Sequence, residues 1–317
     1  MGISATRTTR RTTLIATGAA LVAAAGVAAG SIPAVAATAT ATGTAATTTV
    51  LATALRGAAE VPVAGGPATG DAHGTALEFI KVEGDKVSVA VTWHGTGRPT
   101  ALHLHQGAKG VNGDVVVDLT EALRHAGHHS ATGTVEVDDP AVLTALTNDP
   151  GSFYANLHTR KFPGGAVRGQ LHKVTADVDF RHALRGVRAS VVEGEQIYEC
   201  KADTTGGHAF AQRDVSARLQ HGIRHSFVAP NSGTPQWVAP DGSAVTGAVL
   251  TKTPNGDGNI PELDLRATQS GAGRGLLAGT VEVLRLNTAG GTAPAGSCTP
   301  GDIVSVPYHA DYVFVQG

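Results

Sequence analysis

Histidine is the residue type in this chain with the clearest potential for chemistry. The sequence has 14 histidines, and nine of them lie within residues 73–172. His103 and His105 are separated by one residue and alternate with Leu102 and Leu104. In a β-strand this spacing places both imidazoles on one face and both leucines on the other. Because neutral imidazole binds copper and zinc well, the pair indicates a candidate metal site.

A third histidine can join this pair. His158 alternates with apolar residues in the run Phe153–His158, so its ring also faces away from the core. The sequence therefore predicts a site for copper or zinc formed by His103, His105 and His158. The alternative is that these are polar outer-face residues that hydrogen-bond to the loop Gly107–Asn112. No catalytic residue is assigned.

The elements that position these residues are short β-strands. Alternating apolar and polar residues, separated by Gly, Pro and Asp turns, predict a first domain over residues 50–174. Its one predicted helix is Pro140–Leu146, with Asp139 as N-cap and proline in the first turn. The predicted strands are Thr75–Val82, Val87–Trp93, Ala101–His105, Val115–Leu119, Thr132–Val137, Phe153–His158 and Ala166–Leu171.

A second domain is predicted over residues 181–317 and is also built from strands. Asp214–Gln220 has the pattern of at most one or two helical turns. The fold class is all-β, with two small domains of the β-sandwich or Greek-key barrel type. The predicted strands are Gln196–Ala202, Arg224–Val228, Ala244–Leu250, Glu262–Ala267, Gly279–Leu286 and Tyr308–Val315.

The first domain resembles the chordin-type CHRD domain. The resemblance rests on the stretches Leu55–Pro62, Ala101–Gly107, Asn112-Gly113, Tyr154–Thr159 and Phe162–Leu171. It implies a secreted β domain with no established activity. In that setting Arg168 is expected to pair with Glu60 or Asp118 in a structural role.

The histidine pattern is also similar to part of the Cu,Zn superoxide dismutase barrel, which has an H-x-H pair, a histidine in a late strand and a closing glycine-rich arginine motif. A dismutase needs further ligands, including a bridging histidine and an aspartate for zinc. His125, His128 and His129 are candidates by position, but the spacing R-H-A-G-H-H-S does not reproduce the dismutase loop.

The second domain resembles the secreted domain-of-unknown-function family numbered 3455. The stretches that carry the resemblance are Gln196–Cys200, Pro235–Trp237, Asp241–Gly247, Asn259–Pro261, Thr288–Pro294 and Val306–Phe314. A dinucleotide fold is excluded, because Gly271-Ala272-Gly273 neither follows a predicted strand nor opens a helix.

Aromatic and acidic residues of this domain are candidates for ligand binding. Trp237 and Tyr308 with Asp241 are the predicted residues of a sugar-binding face, since rings stack on sugars and carboxylates accept from hydroxyls. The alternative is that the rings form the domain core. Ser243, His225 and Asp241 have the residue types of a nucleophilic site, but D-G-S is ordinary turn chemistry.

Cys200 and Cys298 are the only cysteines. An isolated pair in an exported protein forms a single disulfide in most cases, and no C-x-x-C redox motif is present. The sequence therefore predicts a structural disulfide that closes most of the second domain.

The N-terminus predicts export. Three arginines precede an apolar run, Leu14–Gly30, and the small-residue site Ala34–Ala36 follows, so residues 1–36 are predicted to be a cleaved signal peptide with no membrane span left after cleavage. Thr9-Arg10-Arg11 allows the twin-arginine route. Residues 37–49, almost all Ala, Thr and Gly, are predicted to be a flexible tether.

The net charge of the chain indicates which classes of binding partner are disfavoured. Cleavage would remove three of the 24 basic residues and none of the 26 acidic ones, which leaves a net charge of 21 − 26 = −5. A mildly acidic chain disfavours nucleic acid as a partner. The preferred interpretation is a secreted, non-catalytic protein that binds a cell-wall or other extracellular polymer. The alternatives are a copper- or zinc-binding protein and a hydrolase of envelope polymers.

Overall fold

The computed structural model describes residues 48–176, 178–204 and 206–317. The predicted signal peptide and all but the last two residues of the predicted tether lie outside the described residues. Within the described part of the chain, no helix has the length and apolar character needed to cross a membrane.

The first domain is one antiparallel sheet of nine strands. Eight of them follow the order β5-β4-β7-β8-β1-β2-β3-β6, and β9 pairs with β1. The strands are β1 Thr49–Arg56, β2 Thr75–Glu83, β3 Lys86–His94, β4 Pro99–Gln106, β5 Val115–Asp118, β6 Ser130–Glu136, β7 Phe153–Thr159, β8 Val167–Gln170 and β9 His172–Val174. The sheet places β4 and β7 side by side, although 46 residues separate them in the sequence.

The one α-helix of the described residues, α1 (Pro140–Asn148), forms where the sequence predicted it. Asp139 is its N-cap and accepts a hydrogen bond from the Ala141 amide at 2.8 Å. Pro140 occupies the first helical position, where its missing N–H costs nothing. Leu146 points into the core of the first domain, so the helix covers one end of the sheet.

One face of the first sheet forms the domain core. The alternation of each strand sends its apolar residues inward, as with Leu102 and Leu104 of β4 and Ala155 and Leu157 of β7, all of which are fully buried. The opposite face of β4 and β7 carries polar residues covered by loops. The sheet curls around this core, in agreement with the all-β class predicted from the sequence.

The second domain is a closed eight-stranded barrel. Its strands are β10 Val187–Ala202, β11 His208–Leu219, β12 Arg224–Phe227, β13 Pro235–Val238, β14 Ala244–Thr253, β15 Glu262–Gln269, β16 Thr280–Gly290 and β17 Ile303–Gln316. Of the two predicted architectures, sandwich and barrel, this domain adopts the barrel. Of the segment Asp214–Gln220, considered for helical turns, residues 214–219 belong to β11 and pair with β10. Only Gln220 lies in a short 3-10 turn, Gln220–Gly222.

The disulfide prediction is confirmed. Cys200 lies near the end of β10, Cys298 lies in the loop before β17, and the two sulfurs are bonded. The link closes a segment with a sequence separation of 98 residues, which contains most strands of the barrel.

The two domains share an apolar seam. Leu77 and Phe79 of β2 point away from the first core, and they pack in one buried cluster with Leu284, Val313 and Val315 of the barrel. Strands β1 and β2 are therefore apolar on both faces, as expected for strands covered on both sides. The seam fixes the domains against each other.

Candidate metal centre

The strand register brings the three predicted histidines together. On β4, His103 lies opposite Asn156 of β7 and Ala101 lies opposite His158. His158 is thus the diagonal cross-strand neighbour of His103, and His105 follows two residues along β4 on the same face. All three rings lie on the outer face of the sheet and are partly exposed.

The distances fit a metal site. One ring nitrogen from each of His103, His105 and His158 lies within 4.8 Å of the others, and within the described residues no other group of three or more His, Cys, Asp or Glu side chains meets this criterion. Three nitrogens at 2.0–2.1 Å from a tetrahedral zinc are about 3.3 Å apart. The closest pair, His103 Nδ1 and His158 Nε2, is already at 3.2 Å. Small ring movements would complete the geometry.

Backbone carbonyls orient two of the rings. His105 Nδ1 donates to the Gly113 carbonyl and His158 Nδ1 donates to the Pro163 carbonyl, each at 3.0 Å. These bonds place the lone pair of each ring on Nε2. Metal-binding histidines are oriented in this way by their second nitrogen.

His105 has an unsatisfied nitrogen. Its Nε2 atom is buried and has no hydrogen-bond partner among the described residues. An unpaired buried polar atom costs about 1–3 kcal/mol, so native structures rarely keep one without a function. In contrast, the interpretation of these histidines as outer-face residues bonded to a loop accounts for Nδ1 of His105 but leaves Nε2 unexplained.

The environment keeps the imidazoles neutral. Burial lowers the pKa of His103, His105 and His158. The neighbouring His158 lowers the pKa of His103 further, because two imidazolium charges would repel. Neutral rings keep the lone pairs that a metal ion needs. Asp118 Oδ1 lies 3.7 Å from His103 Nε2 and is the nearest carboxylate.

Tyr154 and Arg168 support the site, and this role of Tyr154 was not predicted from the sequence. The Tyr154 ring stacks on His105 with centroids 4.8 Å apart and an interplanar angle of 4°. The Arg168 guanidinium lies 3.4 Å from the Tyr154 ring centroid, in a cation–π contact. The only signal for this stack is the register, which aligns Tyr154 with His105.

Arg168 also orders the loop beneath the histidines. It does not form the ion pair with Glu60 or Asp118 expected from the sequence, but donates to Asn112 Oδ1 at 3.1 Å and to the Val111 carbonyl at 2.8 Å. The Arg168 side chain is almost completely buried. Burying an ion pair removes water from two charged groups, whereas the loop carbonyls that bind Arg168 are uncharged and lose less hydration free energy. Its role is structural, as expected.

Glycine is required where this loop turns back. A Cβ atom on Gly113 would lie 1.7 Å from the Gln106 carbonyl oxygen, so no larger residue fits without moving the backbone. The Gly113 carbonyl is the acceptor that orients His105. The close approach therefore connects the Asn112-Gly113 sequence directly to the tautomer of a candidate ligand.

The loop histidines do not add a second ion site. His128 and His129 approach each other, with ring centroids 6.1 Å apart, and His129 also approaches His94. Within the described chain, neither they nor His125 join the group formed by the three strand histidines. The geometry therefore provides one three-histidine site without the bridging ligand of a two-metal dismutase.

The structure separates the candidate sugar-binding residues of the second domain. Trp237 and Tyr308 are buried inside the barrel, where Trp237 stacks on His225 at 4.6 Å and the Tyr308 hydroxyl lies 3.2 Å from that of Tyr312. Asp241 is exposed in the turn before β14. These three residues do not share one surface, and the alternative of an aromatic core describes the two rings.

Ser243, His225 and Asp241 do not form a nucleophilic site. The Ser243 hydroxyl donates to Asp241 Oδ1 at 2.6 Å and accepts from the Leu277 amide, with Ser243 itself fully buried. His225 Nδ1 donates to the Gln236 carbonyl, and burial lowers the pKa of His225 to about 3. The serine and aspartate form a turn, and the histidine belongs to the core.

Comparison with known families covers both domains. Residues 51–171 match the family model described as CHRD domain, and residues 185–316 match the model described as protein of unknown function (DUF3455). No curated protein and no solved structure matches the chain.

Proposed function

We propose that this chain, which joins a CHRD domain to a DUF3455 domain, is a secreted protein that binds one copper or zinc ion through His103, His105 and His158. The observation that carries the proposal is the buried, unpaired Nε2 of His105 beside two further imidazoles. Copper and zinc are the first-row ions that imidazole ligands favour.

The set of three histidine ligands is typical of a metal centre that solvent or a further ligand can reach. Structural zinc sites have four protein ligands, whereas three protein ligands leave a fourth position for water or an exchangeable group. The His103 side chain is 20% exposed, so solvent reaches the histidine face. The proposed role is therefore the binding and exchange of an ion, with no catalytic step assigned.

Export is the second part of the proposal. It rests on the arginine-containing N-terminus followed by Leu14–Gly30 and Ala34–Ala36, and the disulfide between Cys200 and Cys298 supports it. Disulfides persist in oxidising compartments and are rare in a reducing cytoplasm. Attachment to a cell-wall polymer is part of the same proposed extracellular role.

Removing one imidazole is expected to abolish tight metal binding. After treatment with a chelator, the protein should bind one equivalent of Cu²⁺ or Zn²⁺ in a competition titration with a chromophoric chelator. His105→Ala should weaken binding by at least about 100-fold, because losing a direct ligand exceeds the 10–100-fold cost of losing a supporting residue. Nitrogen hyperfine structure in the Cu²⁺ electron paramagnetic resonance spectrum should decrease in the same variant.

His128→Ala is the matched control, since His128 is an exposed histidine of the same domain outside the group of three. Its affinity should equal that of the unmodified protein. Thermal unfolding of each variant checks that the fold is retained. Equal affinities for His105→Ala and His128→Ala, or no stoichiometric uptake by the unmodified protein, would refute the site.

A further inference from the structure

A cleft lies between the two domains. Its volume is about 660 Å³, which falls in the range of small-ligand sites. The first domain contributes the end of β1 and the loop around Lys109, and the barrel contributes the ends of β14, β15 and β16. Sites for small molecules are common at such domain junctions.

Hydrogen bonds between the two domains bridge the cleft. The Asn287 side-chain amide donates to the Ala54 carbonyl at 3.0 Å, and Lys109 Nζ donates to Asn255 Oδ1 across the domains. The buried apolar seam around Phe79 lies behind the cleft. A pre-formed cavity loses little conformational entropy when a ligand binds.

Arg56 lines this cleft, and its side chain lacks a partner for one buried donor. Its Nε atom is buried without a hydrogen-bond partner, and no ion pair between described residues includes its guanidinium. The rest of the Arg56 side chain is partly exposed at the cleft, so its guanidinium is accessible to an anion that enters there. Planar guanidinium groups bind carboxylates through two parallel hydrogen bonds.

A second guanidinium lies next to the first. Arg56 of β1 is directly opposite Arg168 of β8, so their side chains start on the same face of the sheet, and both line the cleft. Like charges in this position destabilise a strand pair. Glu60 lines the cleft too, but its Oε1 is unpaired and burial raises the pKa of Glu60 to about 7, so it offsets the positive charge only in part.

The wall of the cleft that the barrel forms carries polar side chains that can bind the hydroxyl groups of a ligand. Asp264 is almost completely buried beside Glu282 and Thr175, and this burial raises the pKa of its carboxyl group. Thr253 lies on the same wall, next to the apolar residues Leu263 and Leu284, whereas the nearby Asn255 amide is already bonded to Lys109 and Thr288. Alternating polar and apolar groups of this kind match the hydroxyl-bearing edges and apolar faces of a sugar ring.

We propose that the interdomain cleft binds a carboxylate-bearing sugar, with the carboxylate on Arg56 and the hydroxyls toward Asp264. The volume accommodates one or two sugar rings. None of the three metal-site histidines lines the cleft, although Arg168 borders both sites, and the proposed ligand is an acidic saccharide of the kind found in extracellular polymers.

Isothermal titration with D-glucuronate, D-glucose and D-glucose 6-phosphate tests the proposal. Glucuronate is expected to bind at least tenfold more tightly than glucose, because only the acid pairs with Arg56. Arg56→Gln should weaken glucuronate binding at least tenfold, whereas Arg160→Gln, at an exposed arginine that does not line the cleft, should leave it unchanged. Binding of glucose 6-phosphate without binding of glucuronate would overturn the assignment to a carboxylate.

A measurement on the unmodified protein keeps the test valid if Arg56→Gln does not fold. Glucuronate should shift the NMR resonance of the Arg56 Nε–H group, because a hydrogen bond replaces an unpaired donor. The resonance of Arg160 should not move. An unshifted Arg56 resonance at saturating glucuronate, or equal affinity for glucose and glucuronate, would refute the proposal.

Discussion

Replacing Cys200 and Cys298 with serine is expected to lower the free energy of unfolding of the barrel by about 4.7 kcal/mol. The disulfide closes a segment with a sequence separation of 98 residues. A link that closes about 100 residues removes conformational entropy from the unfolded chain, and the loop-closure relation gives this value at 25 °C. In denaturation by guanidinium chloride, the midpoint should fall for the transition that reports on Trp237.

Reduction of the unmodified protein provides the control. A thiol reductant should move its denaturation midpoint to that of the double serine variant and should leave the variant unchanged. Because Trp93 in the core of the first domain emits in the same band, the transition of the barrel is followed in a Trp93→Phe background, where Trp237 is the one tryptophan left. An unchanged midpoint for the barrel after complete reduction would contradict the prediction.

Local pattern was sufficient to predict the features that depend on neighbours in sequence. Asp139 followed by Pro140 predicted the start of α1, and an isolated pair of cysteines in a chain predicted to be exported indicated one disulfide. The spacing of His103 and His105 predicted that they share a face, because strand alternation is fixed by backbone geometry. Apart from the disulfide, whose cysteines have a sequence separation of 98 residues, none of these inferences needed a distant part of the chain.

The approach of His158 to His103 depends on the register between β4 and β7, which the sequence of neither strand determines by itself. A one-residue slip between β4 and β7 would have turned His158 into the core, and only the mutual burial of Leu102, Leu104 and Leu157 excludes it. The prediction of a converging group rested on alternation in each strand separately. The stack of Tyr154 on His105 needs the same information and was missed for that reason.

Both domains contain strands that were not predicted from the sequence: β1 and β9 in the first domain, and β11, β13 and the first half of β10 in the barrel. For β11 the reason is that its first seven residues are all partly or fully exposed. An exposed strand lacks the apolar alternation on which prediction depends. Closure of the barrel is a tertiary constraint, and it holds such strands in place through backbone hydrogen bonds.

Because β2 is apolar on both faces, the sequence pattern did not show that Glu78 is buried. In β2, Ala76 and Ile80 face the first core, whereas Leu77 and Phe79 face the seam. Alternation alone does not show which face is solvent when both are apolar, so Glu78 looks like an ordinary polar position. In the structure Glu78 points into the first core with Ala76 and Ile80, and it is fully buried.

Glu78 is expected to make the stability of the first domain strongly dependent on pH. Neither carboxyl oxygen has a hydrogen-bond partner among the described residues, and Oγ1 of its cross-strand neighbour Thr53 is also unpaired. Burial raises the pKa of Glu78 from 4.5 to about 8. The folded protein therefore holds a proton that the unfolded chain releases between these two pH values.

The direction of the pH dependence follows from the raised pKa of Glu78. The contribution of Glu78 is fully present below about pH 4.5 and is lost as the pH rises to about 8. At 1.36 kcal/mol per pKa unit, the loss between pH 5 and pH 9 is on the order of 4 kcal/mol. Burial also raises the pKa of Glu60 and of Glu282 to about 7, which acts in the same direction. Urea denaturation across this pH range measures the effect.

Glu78→Gln separates the contribution of this one carboxyl from the rest. Glutamine is close in shape and cannot ionise, so the variant should match the unmodified protein near pH 5 and exceed its stability at pH 9. Glu83→Gln, at the exposed end of the same strand, should follow the unmodified protein at both values. If Glu78→Gln loses as much stability as the unmodified protein between pH 5 and pH 9, then Glu78 is not the neutral acid that its burial requires.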